Sequence, residues 1–196
     1  DGNKIIREYN DFSNATSEDY DTIMGTRQDD YVDLRGVPEE ENDPDPWNLL
    51  GGGDDFMGGE GSDFIIGRNG DDNLWGNQGK DYIEGNEGRD LIYGGKNSDT
   101  ILGGLGGDFI LGNIGNDYLY GGQGDDVIYA GKGDDYVYGN KGNDTLYGNK
   151  GADTFVCTKG FDVIKDFWGL DGDRISVASV AGAVISEKDG STLITS

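Results

Sequence analysis

The sequence predicts an all-β fold, a right-handed parallel β-roll of two sheets, and three observations carry that prediction. From Gly58 to Val156 a nine-residue phrase recurs eleven times without insertion or deletion. Its sixth position is Asp in every copy. The block holds no proline, as expected where every strand N–H must enter a ladder.

The phrase reads G-G-x-G-x-D-x-U-x, with U aliphatic or aromatic, as in Gly58-Gly59-Glu60-Gly61-Ser62-Asp63-Phe64-Ile65-Ile66. Weaker copies flank it in register, Leu49 to Met57 with Asp54 and Phe56, and Cys157 to Lys165 with Gly160, Asp162 and Ile164, which makes thirteen turns. The sixth-position acids are Asp54, Asp63, Asp72, Asp81, Asp90, Asp99, Asp108, Asp117, Asp126, Asp135, Asp144, Asp153 and Asp162. Fourth positions are glycine (Gly52, Gly61, Gly70, Gly79, Gly88, Gly106, Gly115, Gly124, Gly133, Gly142, Gly151, Gly160) except for Asn97. Second positions are Gly59, Gly95, Gly104, Gly122 and Gly131, or Asn77, Asn86, Asn113, Asn140 and Asn149, with Arg68 the departure. Gly and Asn enter the left-handed region cheaply, so the loop is a turn defined by its backbone.

A period of nine cannot hold one face of a 3.6-residue helix, whereas it suits alternating turn and short strand. Six turn residues followed by x-U-x give a three-residue strand whose middle side chain points inward. Ile65, Leu74, Ile83, Ile92, Ile101, Ile110, Leu119, Ile128, Val137, Leu146 and Phe155 then stack as an inner column. Two copies complete one coil, so odd copies form one parallel sheet and even copies the other. The outward seventh positions (Phe64, Tyr82, Phe109, Tyr118, Tyr136) and ninth positions (Trp75, Tyr93, Tyr120, Tyr129, Tyr138, Tyr147) become aromatic rows on both faces. Such rows suit sugar rings or another roll, or simply stack along a thin sheet.

Upstream, Thr16 to Met24 and Gly25 to Asp33 read as two decayed copies that cap the roll, with Asp21 and Asp30 sixth and Ile23 and Val32 eighth. From Asp30 to Asp54 is 24 residues where a coil would take 18, which reads as six extra residues. The insertion, Leu34 to Asn48, holds all three prolines (Pro38, Pro44, Pro46) and an acidic run, and reads as an exposed solvated loop, with a further cation site the alternative. Domain boundaries are therefore expected at 1–48, 49–165 and 166–196. Downstream, Val163, Ile164, Phe167, Ile175 and Val177 alternate with polar residues as a capping flank. Asp171-Gly172-Asp173 reads either as a last cation site or as an Asp-Gly hairpin.

These residues resemble the RTX nonapeptide domains of secreted bacterial proteins, with a flank like that of secreted proteases. The motif is highly specific, since a thirteen-fold repeat with a fixed Asp has no low-complexity reading. The resemblance implies Ca2+ between turn i and turn i+2 on one edge, held by the sixth-position Asp of both turns. Backbone carbonyls of the Gly-rich loops, at the second and fourth positions named above, complete each site. Calcium takes six to eight oxygen ligands at roughly 2.3–2.6 Å, and glycine leaves carbonyls free to converge. Thirteen turns paired this way give up to about eleven ions, whose charge would bring the net −24 of the chain to about −2. Without calcium, carboxylates about 4.8 Å apart would repel, and the chain should be expanded.

The chain has no His, which removes His-ligated zinc and Ser-His or Cys-His catalysis. The single Cys157 gives no internal disulfide, and no apolar run reaches the length of a membrane span. No signal peptide precedes the repeats, and the ends read as those of a fragment of something longer. The expected function is a calcium-binding module of a larger secreted protein, exported unfolded by type I secretion machinery and folding outside the cell. An adhesive, surface-layer or polysaccharide-binding module is the alternative, as is the non-catalytic tail of a secreted protease, lipase or alginate-epimerase-like enzyme. No nucleic-acid partner is expected of so acidic a chain.

Overall fold

The computed structural model describes residues 4–5, 22–24, 30–33, 53, 55–177, 184–188 and 191–195. Gly52, Asp54, Asp21 and the acidic loop lie outside the described residues, as does the side chain of Cys157. Every element among them is a strand, and no helix is long and apolar enough to cross a membrane.

Successive copies alternate between two parallel sheets. One runs Lys4–Ile5, Asp30–Asp33, Phe64–Asn69, Tyr82–Glu87, Thr100–Leu105, Tyr118–Gln123, Tyr136–Lys141, Thr154–Cys157 and Arg174–Val177. The other runs Thr22–Met24, Asp55–Glu60, Asn73–Gln78, Leu91–Lys96, Phe109–Ile114, Val127–Lys132, Thr145–Lys150 and Phe161–Ile164, and ends on Ser191–Thr195 and Val184–Lys188. Ile92 lies opposite Ile110, and Ile110 opposite Ile128, so one coil takes 18 residues and the fold is a parallel β-roll.

The regular strands are six residues long rather than three. Each continues past x-U-x through the next copy's first three positions. The reason lies at the second position, where Asn77 (φ 74°) and Gly95 (φ 119°) take left-handed backbone and still pair across the sheet. Glycine-rich sequence there redirects the strand without ending its ladder, and the true turn shrinks to positions four to six.

Inside, the burial pattern puts the eighth and first positions of each strand in the core. The predicted column from Ile65 to Phe155 is 0% exposed and is extended by Phe56 and Ile164. Two sheets this close leave room for one large side chain per strand, and the first-position residue facing the core is glycine in all but a few copies. Ala130 is one of the exceptions and is buried.

The N-terminal strands join in a register that differs from the spacing expected. Ile23 pairs with Phe56 and Val32 with Ile65, each 33 residues apart where a coil takes 18, so the insertion is 15 residues and not six. Consecutive copies belong to opposite sheets, so the strand after the loop returns to the sheet of Ile23, not that of Val32. At the other end, Thr154 pairs with Arg174 after a two-residue slip. An antiparallel hairpin, Val184–Lys188 with Ser191–Thr195, covers the edge strand Phe161–Ile164.

Candidate metal centre

The sixth-position aspartates form two ladders, one along each edge of the roll. In each, the carboxylate Oδ1 accepts the main-chain N–H of the aspartate one coil earlier. Asp81 takes the N–H of Asp63 at 2.8 Å, Asp99 that of Asp81 at 2.9 Å and Asp117 that of Asp99 at 2.8 Å. On the opposite edge Asp90 takes the N–H of Asp72, Asp108 that of Asp90 and Asp126 that of Asp108. From Asp63 to Asp162 these residues are at most 2% exposed. A main-chain bond on each side also ties the turns, since the residue after each aspartate donates to the aspartate carbonyl a coil earlier, as Phe109 does to Asp90 at 2.8 Å.

The second carboxylate oxygen has a different fate. Oδ2 of Asp90, Asp99, Asp108, Asp117, Asp126, Asp135 and Asp144 is buried without a hydrogen-bond partner. A buried unpaired carboxylate is costly, and the cost appears as proton affinity. Burial is the main cause that lifts Asp90, Asp135 and Asp153 from the ordinary 3.8 to about 7, and Asp99 and Asp126 to about 8. The backbone hydrogen bond opposes this in each case, and repulsion from a ladder neighbour adds to it, Asp108 acting on Asp90 and Asp117 on Asp99.

The orphan oxygens point at a cradle made by the first-position glycines. A Cβ on Gly85 would collide with Asp90 Oδ2 and lie 2.7 Å from the carbonyl oxygen of Gly103; one on Gly103 would collide with Asp108 Oδ2 and lie 2.5 Å from the carbonyl of Gly121. Carboxylate oxygen and main-chain carbonyl therefore meet at one place in every coil. Among the described residues no three acidic or Cys side chains form a metal-binding group. A cation here must draw most of its ligands from carbonyls. That donor set, hard oxygen throughout with one carboxylate per turn, fits calcium and suits neither zinc nor a soft metal.

The structure places Asp63 to Asp162 at successive turns of the two ladders. Fourth-position glycines stack turn on turn: the Gly70 carbonyl is against Gly88, and the Gly106 carbonyl against Gly124, so closely that no side chain fits between. Asn97 keeps the same left-handed backbone at φ 74°. Second-position residues stand within the strands rather than in the turns. One feature escaped the sequence reading. The first-position glycines face the carboxylates, which their recurrence in ten of the eleven copies could have indicated. Of the two readings of Asp171-Gly172-Asp173, the structure makes Asp173 a further ladder member, since its Oδ1 accepts the N–H of Asp153 at 3.0 Å and Arg174 donates to the Asp153 carbonyl at 2.8 Å. Asp171-Gly172-Asp173 is therefore no hairpin.

The outer faces carry the predicted aromatic rows. Tyr120 and Tyr138 stack at 4.5 Å, Tyr129 and Tyr147 at 4.2 Å and Tyr118 and Tyr136 at 5.0 Å, with ring planes 5–16° apart. These separations match the strand spacing of about 4.8 Å, so ring faces are turned to the next coil and the rows stabilise the sheet along its length.

Compared with known families, residues 50–83, 75–110, 111–146 and 129–164 match the model of the RTX calcium-binding nonapeptide repeat. A search of curated proteins gives no match. Together the four matched stretches span well over half of the sequence and coincide with the paired aspartate ladders, and the chain belongs to the RTX calcium-binding nonapeptide repeat family.

Proposed function

We propose that this calcium-binding repeat module is a folding switch for a larger exported protein, unfolded at low calcium and closing into the roll outside the cell. The orphaned Oδ2 row carries the reading: the folded state buries one unpartnered carboxylate oxygen in turn after turn from Asp90 to Asp144. Bound calcium supplies positive charge and six to eight oxygen positions. The chain supplies the sixth-position carboxylates from Asp54 to Asp162 in pairs one coil apart, and carbonyls of its glycine-rich turns. Each ion closes two turns on one edge, with up to about eleven over the thirteen turns. RTX repeats are typical of proteins exported by type I secretion, and a chain with this ladder would stay open until it met extracellular calcium. The module is structural rather than catalytic.

Calcium titration of metal-stripped protein, followed by far-UV circular dichroism with magnesium as control, tests this. The expected result is a cooperative gain of strand signal with a midpoint of roughly 10⁻⁴–10⁻³ M calcium and none with magnesium. Full strand signal in the metal-free protein at neutral pH would overturn it.

A further inference from the structure

The sheet that contains Leu91–Lys96 carries a second pattern on its outer face, unrelated to the ladders. Across its strands the second positions alternate strictly: Gly59 pairs with Asn77, Asn77 with Gly95, Gly95 with Asn113, Asn113 with Gly131 and Gly131 with Asn149. At Gly95 the missing side chain leaves a dent between two amides. Tyr93 stands on one side of it and Lys96 on the other, and with Trp75 they line an open cleft of about 480 Å³. The same group recurs two strands on, where Tyr129, Gly131 and Lys132 stand between Asn113 and Asn149. The other sheet lacks this alternation, since Arg68 pairs with Asn86 and Gly104 with Gly122.

Lys96 and Lys132 are exposed beside the two dents with Ile114 between them in the same row, and the exposed Lys150 follows Lys132 beside Asn149. No ion pair ties Lys96 or Lys132 to another described residue. Two strand spacings, about 9.6 Å, separate the two dents. An extended chain of pyranose rings laid along the roll axis advances by close to one strand spacing per ring. Every second ring then meets a dent. Amides from Asn77, Asn113 and Asn149 are suited to hydroxyls, and the lysines to a carboxylate. Because the ring faces of the aromatic rows are turned to their neighbours, this surface would take sugar through the dents, with Trp75 and Tyr93 as walls rather than as a flat platform.

We infer that this face is a binding groove for an acidic polysaccharide that carries a uronic acid at every second sugar. The inference goes beyond calcium-driven folding and requires only that the roll be folded.

The test uses the whole chain in saturating calcium, with strand content checked by circular dichroism, and a hyaluronate decasaccharide as probe. Calorimetry at moderate salt should show saturable binding, and a neutral cellulose-type oligosaccharide should bind far less. The double change Lys96→Gln with Lys132→Gln should weaken binding about tenfold or more. Lys141→Gln with Lys159→Gln makes the same change of charge on the opposite sheet and should leave binding unaltered. Equal loss in both pairs, equal binding of the neutral sugar, or no saturable binding by correctly folded protein would each overturn the inference. Removing the flanking amides with Asn77→Gly and Asn113→Gly supplies a second variant, since both positions already hold left-handed backbone at φ 74° that glycine adopts freely. It should also abolish binding while strand signal persists, and retained affinity would count against the groove.

Discussion

The middle of the roll and its C-terminal end treat the same carboxylate differently. Asp117 accepts the Asp99 N–H through Oδ1, and its Oδ2 is buried with no partner. Asp173 ends the same ladder with both oxygens used, Oδ1 on the Asp153 N–H at 3.0 Å and Oδ2 on the Trp168 N–H at 2.8 Å. Nearby Asp166 is satisfied in the same way by the N–H groups of Gly148 and Asn149, both at 2.9 Å. The difference is the loop. Eight residues, Lys165 to Gly172, bring the Trp168 N–H to Asp173 and set Asp166 against the N–H groups of Gly148 and Asn149, which the short strand Phe161–Ile164 does not reach, whereas a three-residue turn inside the roll has none to spare. The fold can satisfy such an oxygen from its own main chain, and over the repeats it leaves that task to a cation.

The largest effect expected from this contrast is on pH. Ladder aspartates such as Asp90, Asp99, Asp126 and Asp135 rise to about 7–8 in the folded roll from an ordinary 3.8. A carboxyl with a raised folded pKa holds its proton in the fold where the unfolded chain has released it. Its contribution to stability is full below about pH 4 and is lost as pH rises through about 7–8. Metal-free protein should therefore gain strand signal on going from pH 8 to pH 5, and calcium should reverse the preference by requiring the ionised form. Circular dichroism of the dialysed protein at both pH values checks this. Absence of any gain at pH 5 would break the claim that unpaired carboxylates keep the metal-free roll open.

A smaller effect separates the two regions residue by residue. Asp117→Ala removes a carboxylate facing the cradle and strands the Asp99 N–H, so fewer ions should bind at saturation and the calcium midpoint should rise. Asp173→Ala strands the N–H groups of Asp153 and Trp168, which costs about 1–3 kcal/mol, yet should leave the number of ions at the mid-roll sites unchanged. Equilibrium dialysis with radioactive calcium reads the first quantity and urea denaturation in saturating calcium the second. Equal stoichiometry in the two variants would erase the distinction between cation-satisfied and protein-satisfied carboxylates.

Much of this was written in the sequence because the repeat amplifies each signal. One aliphatic residue at position eight says little, whereas Ile65 to Phe155 in unbroken register define a column, and an unvarying Asp at position six marks a ladder. What stayed hidden depends on how copies meet in space. Glycine and asparagine at positions one to three read as turn, since composition does not show that a left-handed residue can remain inside a parallel ladder. The 15-residue insertion was undercounted because spacing alone does not say which sheet the returning strand joins. Asp173 stayed open between a last site and a hairpin because a two-residue slip takes it out of register, and its hydrogen bond to Asp153 places it on the ladder.

The smallest effect concerns the outer faces, where roll and cap differ once more. Tyr120 is stacked on Tyr138 at 4.5 Å, but the Trp168 side chain in the cap loop is 62% exposed. Tyr120→Leu, with Leu102 beside it in the same row as a precedent, keeps apolar bulk and loses the ring contact, and should cost about 0.5–1.5 kcal/mol. Trp168→Leu leaves the main-chain N–H to Asp173 in place and should change stability by no more than about 0.5 kcal/mol. Urea denaturation in saturating calcium compares them directly. If the two costs were equal, the rows would be contributing no more than scattered surface aromatics do, and stacking along the roll axis would not be what holds the faces of so thin a sheet together.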